Sequence, residues 1–141
     1  MKSKALSVAL IVTTVIVATA RIMESSDRII THWNLADEAT SYGSKYLIWI
    51  LPAISAALFA LLTHHGEKQR KAAEKQAGGK GGCQTDYFGI ITPLIMLLML
   101  YVTACSAQFV PMYSAVTAAM LAMIFAAYMY THRKARTSRA A

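Results

Sequence analysis

The sequence predicts an all-α integral membrane protein with four transmembrane helices, arranged as two helical hairpins with both termini in the cytoplasm. The 141 residues are 56% hydrophobic and only 15% charged, whereas soluble domains carry about 25% charged residues. The charged residues also fall in a few short stretches, with long uncharged runs between them. Lysine and arginine are unequally divided between the two sets of connecting segments, and this division predicts the orientation.

Four apolar runs account for the predicted spans. They extend from Ala5 to Ala20 (with Ile22 and Met23 beyond Arg21), from Tyr46 to Thr63, from Tyr87 to about Ala107, and from Tyr113 to Tyr130. A helix of about 20 residues crosses a hydrocarbon core roughly 30 Å thick. Because lipid offers no partner for main-chain polar groups, such runs close their hydrogen bonds internally as helices.

Eleven of the 14 lysines and arginines fall on one predicted side: the N-terminal tail, the loop after the second span and the C-terminal tail. The other side has only Arg21, Arg28 and Lys45. Basic residues stay preferentially in the cytoplasm, so the expected location is the cell membrane with both termini inside. One alternative stays open: Lys2, Lys4 and the sequence Ala18-Thr19-Ala20 also resemble a cleavable secretory signal, whose loss would leave three spans.

These assignments divide the chain into four parts. Residues 1–63 form the first hairpin with an outer loop at 24–45, residues 64–86 a basic cytoplasmic loop, residues 87–132 the second hairpin, and residues 133–141 a basic tail. Within the inner loop, Glu67 to Gln76 is rich in helix formers and is expected to extend the second helix. Gly78 to Gly82 is expected to be a flexible linker.

Several classes of function are disfavoured. No Asp, Glu, Lys, Arg or His lies in the middle of a span, which argues against an ion-coupled transporter. The sequence has no nucleophile–base pair, phosphate loop or dinucleotide fingerprint, so we predict neither an enzyme nor a bound cofactor. The basic residues flank apolar spans, which argues against nucleic-acid binding. His32 with nearby carboxylates is too weak a pattern to predict a metal site, and Cys83 and Cys105 are expected to be free thiols.

Small residues recur at helical spacing in two of the spans. The second span has Ala53, Ala56, Ala57 and Ala60, and the fourth has Ala115, Ala118, Ala119, Ala122 and Ala126. Such stripes allow close helix approach in lipid. We expect them to pack within this protein's own bundle, with binding of another membrane protein as the alternative.

Polar residues that could serve recognition concentrate in the outer loop. Thr31-His32-Trp33-Asn34 could form a cap anchored at the membrane surface or a recognition surface. The wider segment Asp27-Arg28-Ile29-Ile30-Thr31-His32-Trp33-Asn34, followed by Tyr42-Gly43-Ser44-Lys45 and a span containing Pro52, resembles the domain-of-unknown-function 1648 family. The resemblance covers about Ala5 to Leu62. It departs from the family pattern at Ile30 (usually Pro), Asp37 (usually Gly) and Thr40 (usually Asp), so the turn after Asn34 is expected to differ.

The resemblance implies a multi-pass membrane protein, because the family includes the N-terminal part of SdpI-type immunity proteins. SdpI itself, which is longer than this chain, protects its producer from a secreted peptide toxin and takes part in signalling to a repressor. We therefore expect a ligand-binding outer loop that includes Asp27, Thr31, His32, Trp33, Asn34, Tyr42 and Lys45, with an extracellular peptide or another membrane protein as partner besides the lipid bilayer. The alternative is a small-molecule or lipid transporter, or an accessory subunit of a membrane complex.

Overall fold

In a computed structural model, which describes residues 2–24, 26–76 and 87–140, the chain is mostly helical. Helix α1 covers Lys2–Met23, α2 Ile50–Gln76, α3 Tyr87–Ser106 and α4 Ser114–Ala140. Between α1 and α2 lie strands β1 (Arg28–Trp33) and β2 (Ala39–Ser44) and a short 3-10 helix (Lys45–Trp49). Cys83 and the predicted linker Gly78–Gly82 lie outside the described residues.

Within the part of the chain that the structure describes, three helical segments are long and apolar enough to cross a membrane: Ser3–Met23, Lys45–Ala72 and Gly89–Ser106. The fourth apolar stretch, Ser114–Tyr130, is shorter. The predicted membrane protein is therefore supported, while the fourth span, the hairpin topology and the cytoplasmic termini stay predictions.

The distribution of side chains is inverted relative to a water-soluble protein. Large apolar residues such as Leu6, Ile16 and Phe125 are exposed on the helices. Many of the buried positions within the helices are small or polar: Ser7, Thr14, Ala18, Ser55, Thr92, Thr103 and Ser106. Exposed apolar helix surface is stable in lipid, where close packing of small residues rather than the hydrophobic effect holds helices together.

Four of the buried hydroxyls bond to their own helices. Ser7 donates to Ser3 O at 3.0 Å, Thr14 to Leu10 O at 2.8 Å, Ser55 to Leu51 O at 2.8 Å and Thr103 to Met99 O at 2.7 Å. Each of these four hydroxyls therefore enters the helix contact without leaving a donor unpaired, whereas the Thr92 hydroxyl is buried without a partner among the described residues. Helix α3 is central, since it packs against α1, α2 and α4, and its contact with α1 is the largest between any two helices.

The outer loop corrects the all-α prediction. β1 and β2 form an antiparallel two-stranded sheet in which Arg28 lies opposite Ser44, Ile29 opposite Gly43 and Ile30 opposite Tyr42. β-Branched and aromatic residues favour strand, and their clustering in β1 outweighs the helical character of the flanking segments. Ile29 and Ile48 pack with Ala18 of α1 and with Ala107, which directly follows α3, so the sheet and the 3-10 helix lie against the C-terminal ends of these two helices.

At the opposite end, α2 continues as a single helix to Gln76, as its sequence predicts. Lys4 Nζ donates to Glu67 Oε1 at 2.7 Å, so the start of α1 lies beside the C-terminal half of α2. The expectation for the two alanine stripes was wrong. All nine alanines of the α2 and α4 stripes are exposed, and α4 instead turns Met120 inward.

Candidate functional site

Strands β1 and β2 form a β-hairpin, hereafter called the hairpin. Two of the predicted site residues close its base. Lys45 Nζ forms an ion pair with Asp27 Oδ1 at 2.9 Å, and Lys45 N–H donates to Asp27 O at 2.9 Å. The lysine side chain is only 15% exposed, against 84% for the aspartate. Asp27 and Lys45 therefore hold the two strands together, and their charged groups are engaged with each other.

This ion pair changes the pKa of Asp27. The hydrogen bond from Lys45, together with its positive charge, lowers the pKa of the Asp27 carboxyl below its ordinary value. The folded hairpin thus favours the ionised carboxylate.

The tip of the hairpin is closed by Asn34. Its Oδ1 accepts from the N–H groups of Ala36 and Glu38, each at 2.9 Å, and its Nδ2 donates to Glu38 Oε2 at 2.9 Å. Its main-chain N–H donates to Glu38 O at 3.0 Å. This is the side-chain-to-backbone bonding by which asparagine stabilises turns. Both ends of the Asn34 amide are engaged within the turn, so the residue shapes the hairpin.

A buried arginine that sequence reasoning did not select anchors the sheet to α1. Arg21 is only 4% exposed. Its guanidinium donates to Arg28 O at 2.5 Å, to Ser26 Oγ at 3.1 Å and to the Glu24 carboxylate. The signal for it was a lone charge between Ala20 and Ile22 at the end of an apolar run, a placement that usually marks a functional or structural role in membrane proteins.

The tip is also joined to the second pair of helices. Asp37 adopts a left-handed conformation, with φ of 62°, and its Oδ1 accepts from Ser114 N–H at 2.7 Å. That N–H is one of the first four of α4, which have no partner within the helix. The family's usual glycine suits this conformation, and aspartate is among the few other residues that tolerate it. The departure at Asp37 therefore preserves the turn and adds a contact to α4.

The remaining predicted site residues present their side chains outward. Thr31, His32 and Tyr42 are exposed and Trp33 is half-buried. His32, Trp33 and Asn34 line an open concavity of about 680 Å³ together with Leu35 and Ala36. Leu35 is 97% exposed at the tip. The structure thus separates the seven predicted residues into three that build the hairpin (Asp27, Asn34 and Lys45) and four that it displays.

A second cleft of about 370 Å³ lies between the hairpin and the segment joining α3 to α4. Its walls come from both parts, with Ile30, Trp33, Asp37 and Ala39 on one side and Cys105, Gln108, Val110, Pro111 and Met112 on the other. Trp33 lies at both concavities, which explains its partial burial. Among the described residues, no group of three His, Cys, Asp or Glu side chains is placed to hold a metal ion.

The comparisons with known proteins agree with the resemblance in this region. Residues 9–56, about a third of the chain, match the family model described as a domain of unknown function, DUF1648. The matched segment includes most of α1, the whole hairpin, the 3-10 helix and the start of α2. No curated protein and no solved structure matched the chain.

Proposed function

We propose that the DUF1648 segment, residues 9–56, is the recognition module of a non-enzymatic multi-pass membrane protein, and that its hairpin binds an extracellular peptide. The observation that carries this proposal is that one set of residues stabilises the hairpin while another set is left exposed on it. Its base, tip and anchor are each fixed by hydrogen bonds or ion pairs, while His32, Tyr42 and Leu35 are left exposed. A displayed set of side chains on a fixed support loses little conformational entropy on binding.

The exposed side chains of the hairpin are of types that commonly contact peptides. Trp and Tyr supply contact area at low entropic cost and dominate many protein interfaces. His32 adds two ring nitrogens that can donate or accept hydrogen bonds. By analogy with the SdpI-type proteins that the family includes, the bound peptide would be a secreted toxin, and the protein would confer immunity or signal the toxin's presence.

The proposed orientation places the hairpin outside the cell and both termini in the cytoplasm, on the strength of the basic asymmetry. The hydrogen bond from Ser114 N–H to Asp37 links the tip of the hairpin, where the ligand would bind, to helix α4. Signalling would use this contact, because any change in the tip alters a partner of the first turn of α4.

A survival assay tests the proposal. Cells producing the wild-type protein should tolerate a secreted peptide toxin of the type that SdpI-type proteins resist, and cells producing the His32→Ala variant should not. His64→Ala is the matched control, because His64 is also an exposed histidine but lies far along α2. Protein level and melting temperature of both variants should equal those of the wild type. Full protection by His32→Ala would contradict the role of the hairpin.

A second candidate, an accessory subunit of a membrane complex, is favoured by the exposed alanine stripes of α2 and α4. Helices with small residues on one face associate closely in lipid. Purification in mild detergent distinguishes the two: a stoichiometric partner that is lost on Ala57→Leu or Ala119→Leu substitution would favour the subunit. The transporter alternative predicts solute uptake into liposomes containing the purified protein.

A further inference from the structure

Each strand of the hairpin has an outer edge, which is the edge facing away from its partner strand. The two strands differ in how many main-chain groups on this edge are already hydrogen-bonded. The bond from Lys45 N–H to Asp27 O makes Asp27 and Lys45 a hydrogen-bonded pair. Because such pairs alternate with non-hydrogen-bonded ones in an antiparallel ladder, Arg28–Ser44 and Ile30–Tyr42 are non-hydrogen-bonded pairs. The main-chain groups of Arg28, Tyr42 and Ser44 therefore point away from the partner strand.

The outer edge of β1 is already in use. Arg28 O accepts from the Arg21 guanidinium at 2.5 Å and from Gln108 Nε2 at 3.5 Å. β1 also packs against α3. A further strand cannot be added on this side without displacing the buried arginine.

The outer edge of β2 is open and lacks the features that usually protect a strand edge. Natural proteins block such edges with charged residues, proline or a covering segment. β2 reads Ala-Thr-Ser-Tyr-Gly-Ser, with neither charge nor proline, and Thr40, Ser41, Tyr42 and Ser44 are exposed. The two charged residues that flank β2 along the chain are engaged elsewhere, Glu38 with Asn34 and Lys45 with Asp27.

We infer that β2 offers its free edge to a short, extended, neutral peptide, which adds as a third strand by pairing with the main chain of Tyr42 and Ser44. This inference rests on the proposed function and specifies how the peptide is bound. Main-chain pairing supplies affinity in this mode, and neighbouring side chains supply specificity. Tyr42 and Tyr46 are exposed beside the edge, and their rings would contact apolar side chains of the peptide.

A short edge favours a peptide over a second copy of the chain. β2 has six residues, and only the outward groups around Tyr42 and Ser44 are available for pairing. A stable dimer generally buries about 1,200–2,000 Å², far more than such a segment offers. The neutral edge likewise has no charge with which to select a strongly charged partner.

The test uses the purified full chain in detergent micelles and a defined probe, a short neutral peptide of alternating threonine and valine with blocked ends. The matched probe is the same peptide methylated on every amide nitrogen, so that neither edge has an N–H with which to pair. Amide hydrogen exchange is followed by NMR. We expect the first probe to slow exchange at Tyr42 and Ser44 about tenfold at saturation, which corresponds to about 1.4 kcal/mol, and the methylated probe to leave it unchanged.

Two variants isolate the main-chain contribution. Tyr42→Pro removes the outward N–H without removing a β1–β2 hydrogen bond, because proline is tolerated where the N–H faces away from the sheet. Tyr42→Thr removes the ring but keeps the N–H. Tyr42→Pro should weaken probe binding by about tenfold more than Tyr42→Thr does. Equal binding by both variants would overturn strand addition.

Other outcomes separate this inference from the proposed function. Slow, concentration-dependent exchange at Tyr42 and Ser44 without any peptide would mean that β2 pairs with a second copy, and would overturn the peptide assignment. Probe binding at β2 combined with full toxin protection by His32→Ala would support the free edge and contradict the proposed role of His32. If cells with His32→Ala lose survival in the toxin but the probe does not slow exchange of the β2 amides, the role of His32 is supported and the free β2 edge is contradicted.

Discussion

At the scale of single residues, the outer hairpin depends on polar side chains that satisfy the main chain. Asn34 closes the tip, Arg21 holds the Arg28 carbonyl, and Asp37 accepts from the first turn of α4. The second and third of these partnerships cannot be deduced from spacing along the chain, because they join different structural elements. The residue types were nevertheless informative: asparagine and aspartate favour turns, and a lone arginine at the end of a span is conspicuous.

Substitutions at Asp37 should separate its two contributions to stability, which are the left-handed turn conformation and the hydrogen bond from Ser114 N–H. Asp37→Asn keeps tolerance of the left-handed conformation and an acceptor oxygen, so it should be close to wild type. Asp37→Gly keeps the turn but loses the hydrogen bond from Ser114 N–H, a loss of about 0.5–1.5 kcal/mol. Asp37→Ala loses the contact and adds about 1–2 kcal/mol of backbone strain. Thermal unfolding in detergent should therefore give the order wild type, Asn, Gly, Ala, and an Ala variant as stable as wild type would contradict both roles.

The Asp27–Lys45 ion pair predicts a defined pH dependence. Because the pKa of Asp27 is lower in the folded state, the stability it adds is present above its unfolded pKa of about 3.9 and is lost as the pH falls through the lowered value. The difference in melting temperature between wild type and Asp27→Asn should accordingly be constant near neutral pH and shrink below about pH 4. A difference that disappears already at pH 6 would show that another group is responsible.

At the scale of elements, the helices could be predicted from the sequence and the hairpin could not. Long uncharged runs define α1 and α3 almost to their ends, because lipid permits few alternatives, whereas α2 continues through the charged segment Glu67–Gln76. The loop before α2 has no such constraint, and its strands depend on contacts of Ile29 and Ile48 with Ala18 and Ala107 from two helices. β-Branched residues in β1 and turn residues at Asn34 and Asp37 were the available signals of a hairpin.

At the scale of elements, Gly43 is a position where any side chain would collide with neighbouring side chains. A Cβ atom there would lie 2.8 Å from both Leu47 Cδ1 and Thr31 Cγ2. Gly43→Val should push the 3-10 helix away from β1 and destabilise the hairpin by about 1–3 kcal/mol, the usual cost of overpacking. Faster amide exchange in β1 and the 3-10 helix, with α4 unchanged, is the expected result. Ser41→Val, at an exposed position in the same strand, is the control.

At the scale of the whole molecule, α1 is the helix on which the arrangement depends. It has the largest contact with α3, and Ser7, Thr14, Ala18 and Arg21 of α1 are all buried. Cleavage after Ala20, the alternative raised by the Ala18-Thr19-Ala20 sequence, would uncover that face of α3 and remove support for the hairpin. The orientation rests on the distribution of basic residues alone, since a helical bundle has the same internal contacts either way up.

We therefore predict that α1 is retained. The intact mass of protein purified from membranes should include Met1 to Ala20, apart from removal of Met1 itself. A mature N-terminus at Arg21 would show that the first apolar run is a signal peptide and that the α1–α3 contact does not exist in the mature protein.

The most direct test of the central claim, a membrane protein with its hairpin outside, is cysteine labelling on the two sides of the membrane. Leu35→Cys in a Cys83→Ser background places a thiol at the tip, where the native side chain is 97% exposed, and Cys105 is only 1% exposed and should react slowly. A membrane-impermeant thiol reagent should label Cys introduced at position 35 in intact cells, and should label native Cys83 in the wild type only after the cells are opened. Labelling of Cys83 in intact cells, with the tip protected, would contradict the proposed orientation and the recognition role of the hairpin.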